Sequence, residues 1–595
     1  MYGQIPARIH QAVQHFQAGR LAEADALLNQ VLSAQPRNFD ALHILGVIKA
    51  MQGHRDQAME LFRKALAINK NHSFLQFNMA KALSDTGRDA EALVHHRRAT
   101  QLRPDHAEAW LNYGLSLMNL KEYQDAALAL EKAIQVSPGY AAAWCNLGMA
   151  RCRLGNHMEG LDALDRALIL QPDLAEAHNN KGIVLDELER GAESLVCYER
   201  ALQINPAYAE ASLNKAVKLA DLNRHEEALT CFDRAIELSP LPARAWNYKA
   251  TSQLSLGQVD EAIASYRHAL TIQPDYPSAA ANLGRLLVQT GDFSAGWELL
   301  EQRWQSDEEP ALQIQTQRPR WCGASSDRPI LLWGEQGIGD QILYGSILPE
   351  LLSLPQKKLI ALDSRLIPLF SRSIQGFEFI DLAQVSDALD FAAHLPLGSL
   401  PRLFRQSIES FSTARHPYLF AERARVAELR TKIAPAGKVV CGVSWSSTRK
   451  FLGKHKSISL EQLLLPLASD RFHFVNLQYG DTVAERQALQ NMHGITVQDV
   501  SEVDAFHDID GLAALIAACD IVVSTSNTTA HLAGALGKEV LLLLPSGKRK
   551  IWYWSEFDSR NLWYPSIHSF TQSEPGQWAQ PLEQVRQYLE NKSWN

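Results

Sequence analysis

Three short segments collect the residue types that hold phosphate and move protons. In the run from Asp520 to Gly537, a buried apolar stretch ends in Ser524-Thr-Ser-Asn-Thr-Thr529, which opens a helix of small residues, Ala530, Ala533, Gly534 and Ala535. Such a helix packs closely on a sheet and leaves its N-terminal amides and positive dipole end for an anion. Ser526, Asn527, Thr528 and Thr529 are the candidate contacts, while His531 either reaches a phosphate or packs internally. A second segment, Ser444-Trp-Ser-Ser-Thr448, ends a strand and is followed by Arg449, Lys450, Lys454 and Lys456. Hydroxyls of Ser444 and Ser446 with the ammonium groups of Lys454 and Lys456 suit phosphates, or else form a solvated basic loop. The third, Gly334-Glu-Gln-Gly-Ile-Gly-Asp340-Gln341, is a glycine-rich turn opening a helix, without the G-x-G-x-x-G spacing of a dinucleotide site. Asp340 at that helix start can take a proton from an attacking hydroxyl, or cap the helix.

These segments need strands that end together. From residue 328 onward, short apolar runs (330–333, 358–362, 377–380, 391–395) alternate with helical stretches (340–354, 364–374, 400–412), the pattern of βαβ units and a parallel sheet. After a charged helical bridge at 421–433, a second series has strands at 439–445, 472–478, 495–497, 521–524 and 540–544, with helices at 459–469, 484–491, 510–519 and 528–537. Two Rossmann-like halves, 328–425 on the acceptor side and 426–595 on the nucleotide side, then face each other across the carboxyl ends of their strands. The aromatic runs Trp552-Tyr-Trp554 and Trp563-Tyr564 stack on a base or close the core. Asp508-Ile-Asp510 has the D-x-D form of a metal site, but it precedes an alanine-rich helix, so Asp510 reads as an N-cap and no metal is expected. Lys548-Arg549-Lys550 is a nucleotide contact or a solvated turn.

The first half is a repeat of period 34. Its turn site falls at Gly19, Gly53, Gly87, Lys121, Gly155, Glu189, Asn223, Gly257 and Gly291, without insertion or deletion. Five residues on, every residue is small, and seventeen on stand prolines 36, 104, 138, 172, 206, 240 and 274, with Lys70 and Glu308 as exceptions. Small residues let paired helices approach, and proline ends the second helix. Nine residues before the turn stand Asn78, Asn112, Asn146, Asn180, Asn214 and Asn282. A row of carboxamides there holds an extended peptide backbone, or bonds the neighbouring repeat. A linker, 311–327, follows the repeats. The formal charge of −8 has the wrong sign for nucleic acid. No basic and apolar leader opens the chain, and no apolar run reaches the roughly 20 residues that cross a bilayer. Seven scattered cysteines without a C-x-x-C pair fit reduced thiols, and the location expected is cytoplasmic.

Period, small positions and prolines over 5–310 resemble the tetratricopeptide repeat. The expected fold is therefore an α-solenoid of nine tetratricopeptide repeats followed by an α/β domain of the GT-B kind. The asparagine row resembles that of the protein O-GlcNAc transferases. The glycine-rich turn and the 520–537 segment resemble heptosyltransferase-like enzymes, in which a Gly-Asp at this place supplies the catalytic base and the strand-turn-helix holds the leaving nucleotide. On that resemblance Asp340 is the base, and Gly337, Gly339, Ser444, Ser446, Lys454, Lys456, Ser526, Asn527, Thr528, Thr529 and His531 hold a nucleotide sugar as co-substrate, with no other cofactor. Many relatives have Asp-Thr where this chain has Ser524-Thr-Ser-Asn527, which leaves any role of that Asp in doubt. The architecture is similar to bacterial flagellin glycosyltransferases, in which a Trp-Tyr-Pro-Ser stretch recurs as at Trp563–Ser566. It implies an inverting, metal-independent transferase acting on a Ser or Thr of a protein chosen by the repeats. The alternatives are a degenerate scaffold that binds protein partners and a transferase acting on a surface glycan.

Overall fold

The computed structural model describes residues 5–305, 314–386, 388–447, 456–546, 551–574 and 576–594, in two compact units, Met1–Pro240 and Leu241–Asn595. Nine antiparallel helix pairs run from Ile5–Gln17 to Phe293–Leu300, seven in the first unit and two in the second. All nine turn sites have positive φ, including the three that are not glycine: Lys121 at 63°, Glu189 at 57° and Asn223 at 58°. The turn therefore dictates the conformation and glycine only makes it inexpensive. A left-handed conformation costs an ordinary residue about 1–2 kcal/mol, partly offset by the greater unfolded freedom of glycine. Lys121→Gly and Glu189→Gly are each expected to stabilise the first unit by about 0.5–1 kcal/mol in urea unfolding. A loss of stability instead would show that these side chains hold the turns.

The helices of a pair meet at small residues. Ala58, Ala92, Ala126, Ser194, Ala228 and Ala262 are wholly buried on second helices. Opposite them a first-helix glycine or alanine recurs, and a Cβ on Gly182 would lie 2.5 Å from the Tyr198 ring. Second helices end two residues before proline, as at Ala34, Leu102, Val136 and Leu170. The residue before a proline is disfavoured in the helical region, so it becomes the cap, as with Gln35 at φ −136° and ψ 83°.

Past the repeats lie two parallel sheets. The first is made of β1 (Ile330–Trp333), β2 (Lys358–Leu362), β3 (Glu378–Asp381) and β4 (Ala393–Pro396), in the order β3-β2-β1-β4. The second contains β5 (Val439–Ser444), β6 (Phe472–Asn476), β7 (Val497–Gln498), β8 (Ile521–Thr525) and β9 (Val540–Leu544). After a two-strand antiparallel ribbon, β10 (Glu556–Phe557) with β11 (Arg560–Asn561), the second sheet is completed by β12 (Ile567–Thr571), giving β12-β9-β8-β5-β6-β7. Counted within this sheet the order is 3-2-1-4-5-6, whose direction of growth reverses between β5 and β8, the place where such sheets open a crevice. β1, β2, β8 and β9 are buried along their whole length, as helices on both faces require.

The final repeat belongs to the core of this region. Val288, Phe293, Trp297 and Leu300 pack in one apolar cluster with Ile330, Leu332, Leu542 and Trp554. Trp297 Nε1 donates to the Arg405 carbonyl at 2.6 Å. The repeat register ends near residue 305, but the second compact unit begins at Leu241, because these side chains bury themselves on the sheets rather than on a tenth repeat. The helix Arg423–Ile433 spans the expected junction of the two halves and uses Arg430 to reach Asp520. Among the described residues, no helix is long and apolar enough to cross a membrane.

Candidate functional site

A cleft of about 270 Å³ opens where the carboxyl ends of both sheets come together. The turn after β1 supplies Gly337, Ile338, Gly339 and Asp340 to one wall. The turn after β8 and the helix Thr528–Ala535 supply Ser526, Asn527, Thr528 and His531 to the other. Ser447 and Lys456 follow β5, and Tyr553 and Ile551 follow β9. Four segments far apart in sequence are thus brought to one place by the rule that parallel sheets open at their carboxyl ends.

Asp340 is the third residue of the helix Ile338–Gly345, half-buried at the cleft. The N-cap of that helix is Gly337, and no side chain caps this end. Next to Asp340, a Cβ on Gly339 would come within 3.0 Å of the His531 ring, so glycine permits the two opposing helix starts to close on each other. Lys456 is 4% exposed and lines the cleft. Arg365, also in the lining, is held by Asp363 through Nε and Nη2, both at 2.8 Å. Its Nη1 donates to the Phe506 carbonyl at 2.9 Å. Among the described lining residues Asp340 is the one carboxylate and Lys456 and Arg365 are the cations, the second of them already paired with Asp363.

His531 packs inward rather than offering a charge. Its Nδ1 lies 3.2 Å from the Tyr564 hydroxyl, and its ring lies 4.6 Å from that of Trp554. Burial first, and then the charge of Lys456, push its pKa down to about 3, so the ring is neutral at pH 7. It contributes shape to the cleft, not a phosphate cation.

Several expected contacts are spent inside the fold. Ser444 is fully buried, donating to Gln478 Oε1 at 3.0 Å and accepting from Asn527 Nδ2 at 2.8 Å. Gln478 Oε1 also takes the backbone N–H groups of Trp445 and Ser446, each at 2.9 Å, and Ser447, rather than Ser444 or Ser446, stands in the lining. Thr529 is buried and donates to the Leu477 carbonyl. Asn527 lines the cleft, but its Oδ1 caps the helix by accepting from Ala530 N–H at 3.3 Å. The N-cap of the helix Ile509–Ala518 is Asp508, not Asp510, which instead pairs with Arg372. Trp552 and Trp554 join the core, and Tyr553 between them faces the cleft. Lys454, Lys450, Arg449 and Lys548-Arg549-Lys550 lie outside the described residues.

Arg365, Tyr479 and Phe506 are lining residues that no motif announced. Their signal was positional: Arg365 and Tyr479 each stand three residues beyond the end of their strands, β2 and β6.

In the repeats, Asn180, Asn214 and Asn282 each donate to the residue 35 positions earlier, to Cys145 Sγ, Asn179 Oδ1 and Asn247 Oδ1. Asn78 bonds His43 in the same way. Asn112 and Asn146 donate to carbonyls of their own helices at 2.9 Å. Four carboxamides of the row thus tie neighbouring repeats, and two bond within their own helices.

Family models of the tetratricopeptide repeat match residues 15–76, 77–141, 145–209, 213–277 and 253–315. Residues 15–315 accordingly carry tetratricopeptide repeats. Protein FlbA of Caulobacter vibrioides is 28% identical over 324 residues, 50% of this chain and 53% of that protein. The chain spans about half the length of this curated relative. Among solved structures, a tetratricopeptide repeat protein from Parabacteroides merdae is 17% identical, covering 42% of this chain and 99% of that one with a TM-score of 0.38. YrrB, described as a tetratricopeptide protein with an unusual peptide-binding site, is 27% identical over 32% of this chain and 98% of that one, with a TM-score of 0.25.

Proposed function

We propose that the second unit is a GT-B glycosyltransferase, inverting and metal-independent, which moves a sugar from a nucleotide donor to a Ser or Thr hydroxyl of a protein held by the repeats. The observation that carries this reading is the cleft itself, whose lining gathers one half-buried carboxylate, Asp340, with Lys456, Arg365 and the start of the helix Thr528–Ala535. In a single displacement the acceptor oxygen bonds to the anomeric carbon while its proton passes to the Asp340 carboxylate. The bond from that carbon to the donor phosphate breaks, and the nucleoside diphosphate leaves with the negative charge. Lys456, Arg365 and the N-terminal amides at Thr528 oppose that growing charge, and a dry, preorganised site makes such help strong. Tyr479, Phe506 and Tyr553 give the cleft aromatic surface for the rest of the donor. Tetratricopeptide repeats commonly bind peptides or proteins, which supports the selecting role of the first half. The faces bearing Asn112 and Asn146 are proposed as part of the acceptor surface.

The test is a thermal-shift panel of the chain with UDP, GDP, ADP, CMP and their sugar conjugates. A ligand at 100 times its Kd stabilises its unit by about 2.7 kcal/mol. One nucleotide is expected to shift the melting, and Lys456→Ala to weaken its binding about 10 to 100-fold, the worth of a charge-assisted hydrogen bond. Silence toward every nucleotide, with peptide still bound, would make the chain a scaffold. Transfer to a glycan but to no protein would leave the cleft chemistry and remove the acceptor assignment.

A further inference from the structure

We infer that the final repeat braces both walls of the cleft and that Arg303, just after its second helix, is a positioning residue for the glycine-rich loop. Arg303 meets Glu335 with a two-pronged grip, Nε to Oε2 at 3.1 Å and Nη2 to Oε1 at 2.9 Å. Glu335 is the second residue of Gly334-Glu-Gln-Gly337 and is 4% exposed, so it turns away from the cleft that Gly337 and Asp340 line. The same guanidinium donates to the Leu300 carbonyl and to Glu301 Oε1, both at 2.9 Å, and to Ser399 Oγ at 3.0 Å. Ser399 in turn donates to Glu301 at 2.7 Å. Beneath the pair, a Cβ on Gly398 would fall 1.9 Å from Glu335 Oε1, so the carboxylate fills a place no side chain can share.

A buried carboxylate that loses its partner is strongly disfavoured, so Glu335 cannot leave Arg303 without moving the loop that carries it. Five residues along the chain from Glu335 stands Asp340. The same repeat also braces the opposite wall: Trp297 packs on Trp552 at 5.2 Å and Phe293 on Phe557 at 5.7 Å, on either side of the segment that presents Tyr553. One repeat thereby fixes the spacing of both walls. The binding half of the test below rests on the donor reading above; the exchange half does not.

The experiment measures amide hydrogen exchange in the full chain for the native sequence, Arg303→Gln, Arg303→Lys and the double variant Arg303→Gln/Glu335→Gln. The double variant leaves no unpaired charge and so keeps the fold available for measurement. In Arg303→Gln, exchange over residues 334–340 is expected to rise at least about tenfold while β9 keeps its protection. Arg303→Lys should restore part of the protection, since it keeps the charge but not the fork. The double variant should stay loose, and both it and Arg303→Gln should bind the nucleotide found in the panel at least about tenfold more weakly. Native protection of 334–340 in Arg303→Gln and in the double variant would overturn the inference, as would loosening spread equally over β9. Loosening confined to 334–340 in a chain that binds no nucleotide would uphold the positioning role and sink the donor reading.

Discussion

Asp340→Asn is expected to lower the rate of sugar transfer by about 10² to 10⁴-fold, the usual worth of a positioned general base. Nucleotide affinity should change little, because the amide keeps the shape and the phosphate contacts proposed above are those of Lys456, Arg365 and the 528 helix start. The fold should also persist: Gly337 is the N-cap of the helix and no side chain caps that end. The decisive comparison is therefore a single-turnover rate measured beside a nucleotide Kd on the same preparation. A variant that transfers as fast as the native chain would remove Asp340 from the chemistry, and equal loss of rate and affinity would make it a binding group.

Mild acid is expected to destabilise both units well above the pH at which carboxylates titrate. His43 and His96 in the first unit and His416 in the second are each pushed down to about 4, and His531 to about 3, burial being the first cause in all four. A histidine kept neutral by the fold binds its proton more readily when unfolded, near pH 6.5. The unfolded chain then holds more protons, so stability is full above about pH 6.5 and falls as pH drops toward the folded values. At pH 5 each group has moved about 1.5 pH units into that window and costs about 2 kcal/mol, or about 4 kcal/mol per unit. That is a large part of the roughly 5–15 kcal/mol that holds a domain together. Asp504 and Glu583, held down to about 2 by hydrogen bonds led by His507 and Arg586, lose their contribution only in stronger acid. Urea titrations at pH 7 and pH 5 measure the difference, and His531→Gln should remove about half of it for the second unit, His416 keeping the rest. Equal midpoints at the two pH values would show these rings protonated or solvated in the folded state.

The repeats were legible because each unit carries its own instructions. A left-handed turn, a small contact residue and a proline all act within 34 residues, so Lys121, Glu189 and Asn223 could be placed although none is glycine. The strands ending at the cleft were legible for a similar reason, as fully buried parallel strands read as continuous apolar runs. β12 escaped notice: Ile567-His-Ser-Phe-Thr571 is an edge strand of mixed polarity, identified only by its pairing with β9. The helix Ala579–Asn591 follows β12 and packs Leu582, Val585 and Leu589 into the second core cluster. Ser444 had suitable chemistry, but whether its hydroxyl faces a ligand or a neighbour depended on Gln478, 34 residues away after β6, and on Asn527 after β8. Asp510 was read as a cap from its local pattern, while its partner Arg372 stands 138 residues away. Residue type and spacing thus pointed to segments that meet at one cleft, and distant partners decided which of their side chains line it.

The unbroken core shared by the last repeat and the sheets has a consequence for inheritance. Upstream of Pro240 each 34-residue block carries its own turn and its own helix pair, so blocks can be duplicated, deleted or exchanged as units. Downstream of that point a crossover would have to carry Trp297, Arg303 and Glu335 together. The piece that evolution can graft is then not a sheet domain alone but that domain with two repeats attached. Descendants of this gene with longer or shorter arrays should differ in multiples of 34 residues, counted on the amino-terminal side.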